Sequence, residues 1–187
     1  MKKIGLFGGT FDPPHIGHIK LAETVKQSLS LDEVWYIPTY EPPHKRNAIA
    51  SPQERLDMLN LLLNDQSKLQ LLDIEYQLKG KSYTFNTVSH LKEKYPEIEF
   101  YFIIGGDMVD YLPKWYKINE LKKLIQFVGV TRKEYEQVED GDVIMVSMDE
   151  IPVSSTLIRE QIRRGEHPDG LTEKVLQYIK EHRLYED

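Results

Sequence analysis

Residues 5–18 read GLFGGTFDPPHIGH. An apolar run enters two glycines; a hydroxyl, a carboxylate and two prolines follow, and two histidines then stand three residues apart. Lys3 to Gly8 has the largely apolar character of a strand buried on both faces. From His15 to about Leu29 the apolar residues Ile16, Ile19, Leu21, Ala22 and Val25 recur near helical spacing. Strand, glycine turn and helix start thus share one short stretch. In a parallel sheet that is where a ligand binds, beyond the carboxyl end of a strand.

The same alternation continues outward. Glu33–Pro38 (EVWYIP) reads as a second strand, and a polar loop with a proline pair and a basic cluster, TYEPPHKRNAIA, follows over 39–50. SPQERLDMLNLLL is a helix with a legible start: Ser51 as N-cap, Pro52 at the first position, Glu54 closing a capping box. A third strand is expected over Leu69–Ile74, and a helix over 82–95 that Pro96 stops. Glu99–Ile104 (EFYFII) is a fourth strand ending in Gly105-Gly106-Asp107. Short helices are expected over 107–112 and 118–124, strands over 126–131 and 142–147, and closing helices over 154–164 and 171–182, with Gly165 as C-cap of the first. The pattern predicts one doubly wound α/β domain over 1–187, with a mostly parallel sheet, helices on both faces and a C-terminal helical segment.

Bulk composition narrows the function. With 187 residues, 40% hydrophobic and 29% charged, the chain can bury one sizeable core. It has no cysteine, which excludes a disulfide scaffold, a thiolate metal site and a cysteine nucleophile. That is compatible with a reducing compartment, and a cytoplasmic location is expected. Two lysines before a short apolar run imitate a signal peptide, but the run breaks at Gly8-Gly9 and no small-residue cleavage site follows. No stretch approaches membrane-spanning length, so no membrane partner is expected. A formal net charge of -6 argues against a nucleic-acid coat. It leaves room for an anionic small substrate, which needs only a few local positive groups.

The opening stretch suits phosphate. Its glycines allow close backbone approach and positive φ, and the free N–H groups of a helix start favour an anion. Neither a G-x-x-x-x-G-K-[ST] loop nor a G-x-G-x-x-G turn is present here. Instead His15 and His18 share one helix face, with Gly17 leaving room beside them. Two imidazoles so placed suit hydrogen bonds to phosphate oxygens, a metal ion for which no third ligand stands out, or a purely structural pair. Asp12, before two prolines, suits a turn-holding role better than that of a base. Far downstream, Ser154 can cap a helix whose first turn offers donors to an anion, and Arg159 on the next turn offers a planar fork.

GGTFDPPHIGH closely resembles the (H/T)-x-G-H signature of the nucleotidylyltransferase superfamily, and SSTLIR at 154–159 resembles its ISSTxIR motif, with Val153 in place of the usual Ile. Three further stretches resemble the bacterial nicotinate mononucleotide adenylyltransferases: IPTYEPPHKR (37–46), KSYTFNT (81–87) and IIGGDMVDYLPKWYKINEL (103–121). The resemblance spans nearly the whole chain. It implies a Rossmann-like fold and transfer of AMP from ATP to nicotinate mononucleotide, giving deamido-NAD and pyrophosphate by direct in-line attack.

On the residues that match, the resemblance implies catalytic roles for His15, His18, Lys45 and Arg159. It implies ATP contacts at Gly8, Gly9, Thr10, Phe11, Gly105, Asp107, Ser154, Ser155 and Thr156. Mononucleotide contacts fall on His44, Thr84, Lys114, Trp115 and Tyr116. Trp115 and Tyr116 offer an aromatic face for a pyridine ring. Thr84 and nearby backbone N–H groups suit a carboxylate, and Asp107 suits ribose hydroxyls. Mg²⁺ is expected on the ATP phosphates, with no dedicated protein site. Relatives often self-associate, so a homodimer is in scope. The rivals are a transferase for the amide or another acceptor, and a nucleotide-binding regulator without the chemistry.

Overall fold

The computed structural model describes residues 1–42, 48–132 and 141–187, with the backbone alone at Arg132. Strand β1 (Lys3–Gly9) leads into helix α1 (Ile16–Ser28), β2 (Glu33–Pro38) into α2 (Pro52–Leu63), and β3 (Leu69–Leu71) into α3 (Ile74–Leu78) and α4 (Thr84–Lys94). β4 (Glu99–Gly105) is followed by a 3₁₀ segment (Gly106–Lys114) and α5 (Ile118–Leu124), then β5 (Gln126–Arg132), β6 (Val143–Met148), α6 (Ser155–Arg163) and α7 (Glu173–Glu181).

Among the described residues the six strands form one sheet in the order β3-β2-β1-β4-β5-β6, and each pairing is parallel. The sequence predicts a mostly parallel sheet; it is parallel throughout. The strand order reverses between β1 and β4, the switch point where such sheets bind ligands.

Side chains alternate strictly between two cores, as the two-residue period of a strand requires. Ile4 and Leu6 of β1, Trp35 and Ile37 of β2, and Phe100, Phe102 and Ile104 of β4 pack with Ile74, Val88, Leu91 and Leu121 from α3, α4 and α5. Phe7, Val34, Tyr36, Tyr101 and Ile103 face the other way, onto Ala22, Val25, Met58, Leu59, Val175 and Ile179 from α1, α2 and α7. Both faces are covered, which explains why these strands read as near-continuous apolar runs.

The capping box at α2 forms as expected: Ser51 Oγ accepts from Glu54 N–H at 3.3 Å, and Glu54 Oε2 accepts from Ser51 N–H at 2.7 Å. Gly165 adopts φ +70 just past α6, the left-handed turn expected of it. The third strand is shorter than predicted. It ends at Leu71, and Ile74 opens α3 instead. β3 pairs only with β2, over Val34–Leu69 to Tyr36–Leu71, and β2 ends at Pro38, which has no N–H to continue the ladder.

Candidate active site

β1 delivers Gly8 and Gly9 as its last two residues, and His15 caps α1. His15 Nδ1 accepts from Gly17 N–H at 3.1 Å, and His18 Nδ1 accepts from His15 N–H at 3.1 Å. This is a capping box made of two imidazoles, with the rings stacked at 3.8 Å between centroids. Gly17 is required by His15 itself, since a Cβ there would sit 2.8 Å from His15 Nδ1. With each Nδ1 accepting, each neutral ring carries its proton on Nε2. Burial lowers the His15 pKa to about 4. Burial, and then the neighbouring His15, hold His18 well below the usual imidazole range. The pair is therefore neutral near pH 7 and offers two N–H donors.

The positive φ expected at the glycines falls elsewhere. Gly8 and Gly9 are extended, and the left-handed residue is Phe11, at φ 51. The Phe11 ring packs edge-on against Phe7 and His18 inside the core, so its side chain is unavailable to a ligand. Gly9 makes room for that ring, which lies 2.9 Å from where its Cβ would be.

Asp12 is a junction. Its carboxylate accepts from Ile49 N–H at 2.8 Å, Ala50 N–H at 3.1 Å and the Tyr185 hydroxyl at 2.7 Å. With its oxygens so committed it holds the turn together, as its place before two prolines suggests. Burial, followed by the adjacent Asp12 carboxylate, pushes the Tyr185 hydroxyl far above its ordinary pKa, so it stays a donor.

The downstream motif docks on the same turn. Ser154 caps α6, its Oγ accepting from Leu157 N–H at 3.1 Å. Ser155 Oγ donates to Pro13 O at 2.8 Å. Arg159 Nη1 donates to Asp12 O at 2.6 Å and Nη2 to Thr156 Oγ1 at 3.3 Å. Two motifs at opposite ends of the chain are thus hydrogen-bonded together, and α1 and α6 both begin there.

Beside them lies a cavity of about 330 Å³ over the carboxyl ends of β1 and β4. Gly8, Gly9 and Thr10 line it on one side and Gly105 and Asp107 on the other, with Thr84, Trp115 and Tyr116 at its aromatic end. A Cβ on Gly105 would fall 2.7 Å from Asp107 Oδ1, so that glycine makes room for the carboxylate. Trp115 stands edge-on to Phe102 and Phe127, with ring centroids at 5.9 and 6.0 Å. Tyr116 leans on Tyr83 at 4.9 Å.

Residues 6–161 match the family model described as cytidylyltransferase-like. The chain belongs to the cytidylyltransferase-like family. The nicotinate-nucleotide adenylyltransferase of Bacillus subtilis (strain 168) is 45% identical over 188 residues, covering 100% of both chains. A protein of Oceanobacillus iheyensis is 45% identical over 186 residues, 99% of this chain and 97% of its own. Among solved structures, the Plasmodium falciparum nicotinic acid mononucleotide adenylyltransferase complexed with NaAD superposes with a TM-score of 0.81 at 19% identity, covering 99% of this chain and 98% of that one.

In this cytidylyltransferase-like chain the sequence-predicted residues divide into groups. Gly8, Gly9, Thr10, Gly105, Asp107, Thr84, Trp115 and Tyr116 meet at the cavity. His15, His18 and the 154–159 turn meet beside it. Lys114 is not in the cavity wall; its ammonium lies 5.1 Å above the Tyr111 ring. His44 and Lys45 lie outside the described residues, as does Arg46. Sequence reasoning missed Glu75, Ser82 and Tyr83, all in the wall. Tyr83 carried a usable signal, an aromatic directly before Thr84. Glu75 carried none: the expected strand took in Ile74, and the short helix that places Glu75 was not foreseen.

Proposed function

We propose that this chain transfers the adenylyl group of ATP to nicotinate mononucleotide, releasing pyrophosphate and giving deamido-NAD. The observation that carries the reading is the junction of the two phosphate-type motifs beside a cavity with an aromatic end. The full-length likeness to the named B. subtilis enzyme supports the acceptor.

The mononucleotide phosphate attacks the α-phosphorus in line, and pyrophosphate departs. The nucleophile is already an anion, so no general base is needed, and Asp12 is not free to be one. Catalysis is positioning plus neutralisation of developing charge. His15 and His18 donate from Nε2 to phosphate oxygens, His18 to the α-phosphate, and the backbone N–H groups of Gly9 and Thr10 add to them. Arg159 supplies fixed positive charge, and the α6 start carrying Ser154, Ser155 and Thr156 supplies donors. Lys45 and His44 belong to the same scheme, as the resemblance implies. Mg²⁺ would be held by the ATP phosphates, where it would offset their charge; Asp12, the carboxylate nearest the junction, is saturated by three donors. Gly105 and Asp107 take the ATP ribose. Thr84, Trp115 and Tyr116 take the nicotinate ring and its carboxylate.

No described helix is long and apolar enough to cross a membrane. Water-soluble substrates fit a cytoplasmic enzyme, and a homodimer through the C-terminal helices is part of the same proposal.

The test is product formation from ATP and Mg²⁺ with nicotinate mononucleotide, its amide and pantetheine phosphate in parallel. Strong preference for the acid, with pyrophosphate released, is expected. Preferred turnover of another acceptor overturns the assignment of Thr84, Trp115 and Tyr116. ATP binding without turnover of any acceptor overturns the enzyme itself.

A further inference from the structure

Arg55 and Glu75 take no part in the chemistry above, yet both are buried, Arg55 at 1% exposure and Glu75 at 7%. Arg55 projects from α2 and binds three carbonyls. Nη1 donates to Thr10 O at 2.9 Å and Thr39 O at 2.7 Å, and Nη2 to Tyr40 O at 3.2 Å. One guanidinium therefore joins the turn after β1 to the turn after β2. Glu75, from α3, accepts from the Thr87 hydroxyl on α4 at 3.0 Å. Between them, Ser82 Oγ accepts from Tyr40 N–H at 3.0 Å and Glu41 N–H at 3.4 Å, and Ser82 N–H donates to Glu41 O at 2.9 Å. The turn after β2 is thus held by its carbonyls on one side and its amides on the other.

This arrangement is a poor device for stability alone. Buried charges are costly to desolvate, and apolar side chains of similar size often serve as well or better. Arg55 Nε and Glu75 Oε2 are also buried without a hydrogen-bond partner among the described residues. What the network does achieve is local. Thr10, Thr39, Glu75, Ser82 and Thr84 all line the cavity, and the network fixes their spacing. Thr87 lies one turn into α4 behind Thr84 and does not itself line that cavity.

We propose that Arg55, Glu75 and Thr87 are positioning residues for the mononucleotide half of the cavity, holding the turns after β1 and β2 against the start of α4. The inference rests on the proposed adenylyl transfer to nicotinate mononucleotide. It goes beyond that reading by assigning the acceptor geometry to buried side chains on α2, α3 and α4. The ATP side is held mainly by α1 and α6 through Pro13 and Asp12, and it shares with this network the Arg55 bond to Thr10 O.

Thr87 gives the cleanest test. Thr87→Val removes the hydroxyl at nearly constant volume, whereas Thr87→Ser keeps it. With the other substrate saturating in each case, Thr87→Val is expected to raise KM for nicotinate mononucleotide about tenfold while KM for ATP stays within about twofold, and Thr87→Ser to restore the unsubstituted values. Glu75→Gln keeps a carbonyl acceptor for Thr87 but replaces the buried, unpartnered Oε2 with an amide nitrogen, and should show the same split. It also serves as the readout if Thr87→Val does not fold. Unchanged KM values, or equal rises in both with a lowered melting temperature, overturn the inference and leave the adenylyltransferase reading standing. No turnover of nicotinate mononucleotide by the unsubstituted protein overturns both.

Discussion

His15 illustrates how one residue can serve folding and chemistry in opposite ways. Its burial favours the neutral ring, with a folded-state pKa of about 4 against an ordinary 6.5. Between those values the unfolded chain binds a proton that the folded chain does not, so stability must rise with pH across that window. From pH 7 to pH 5 the His15 contribution falls by about 2 kcal/mol. His15→Asn keeps a good N-cap without the titration. Urea unfolding at pH 5 and pH 7 should show a shallower pH dependence in that variant, and an unchanged slope would refute the neutral-imidazole assignment. Asp12 allows a sharper distinction between scaffold and base. In Asp12→Asn one oxygen becomes an amide nitrogen that cannot accept from the 49–50 backbone. Stability should drop by about 1–3 kcal/mol. The acidic limb of the kcat/KM profile should stay in place and kcat should fall less than about tenfold, whereas loss of a general base costs about 100-fold or more.

Elements differ in how far they can be read from local sequence. The start of α2 was legible because Ser51, Pro52 and Glu54 satisfy its orphan donors among themselves. Ser51→Ala should cost about 1 kcal/mol of unfolding free energy, measured by thermal or urea denaturation, with both KM values unchanged. β3 was only half legible, because its end is decided by the partner strand: Pro38 on β2 stops the ladder, and nothing within 69–74 announces it. That error carried forward into the site, since α3 is what delivers Glu75 to the cavity. The same limit hid Arg55, whose three acceptors sit 15 to 45 residues away in sequence. Within α2 it is simply a charged residue on a helix, and only the tertiary fold shows it to be buried.

At the scale of the molecule, the parallel sheet was legible because strands buried on both faces announce themselves as apolar runs separated by helical periods. The two motifs that meet beside the cavity were legible because each is contiguous. Their meeting was implied by the family resemblance and not by any local pattern, and it ties the ends of the chain together: Ser155 reaches Pro13 across 142 residues, and Arg159 reaches Asp12 across 147. A ligand seated at that junction touches both ends at once and should stabilise the whole fold by mass action. ATP with Mg²⁺ at about 100 times its Kd should add about 2.7 kcal/mol to the unfolding free energy. If Arg159 donates to phosphate as proposed, Arg159→Ala should weaken ATP binding about tenfold. At the same ATP concentration its increment should then shrink to about 1.4 kcal/mol. Fluorescence of Trp35 and Trp115 reports the face of the sheet that packs on α3, α4 and α5, while far-ultraviolet circular dichroism reports helices on both faces. With ATP bound, the two transitions should coincide, because the junction joins α1 and α6 to a sheet that both cores share. Separated transitions, or an undiminished ATP increment in Arg159→Ala, would show that the two motifs touch without acting on the same nucleotide.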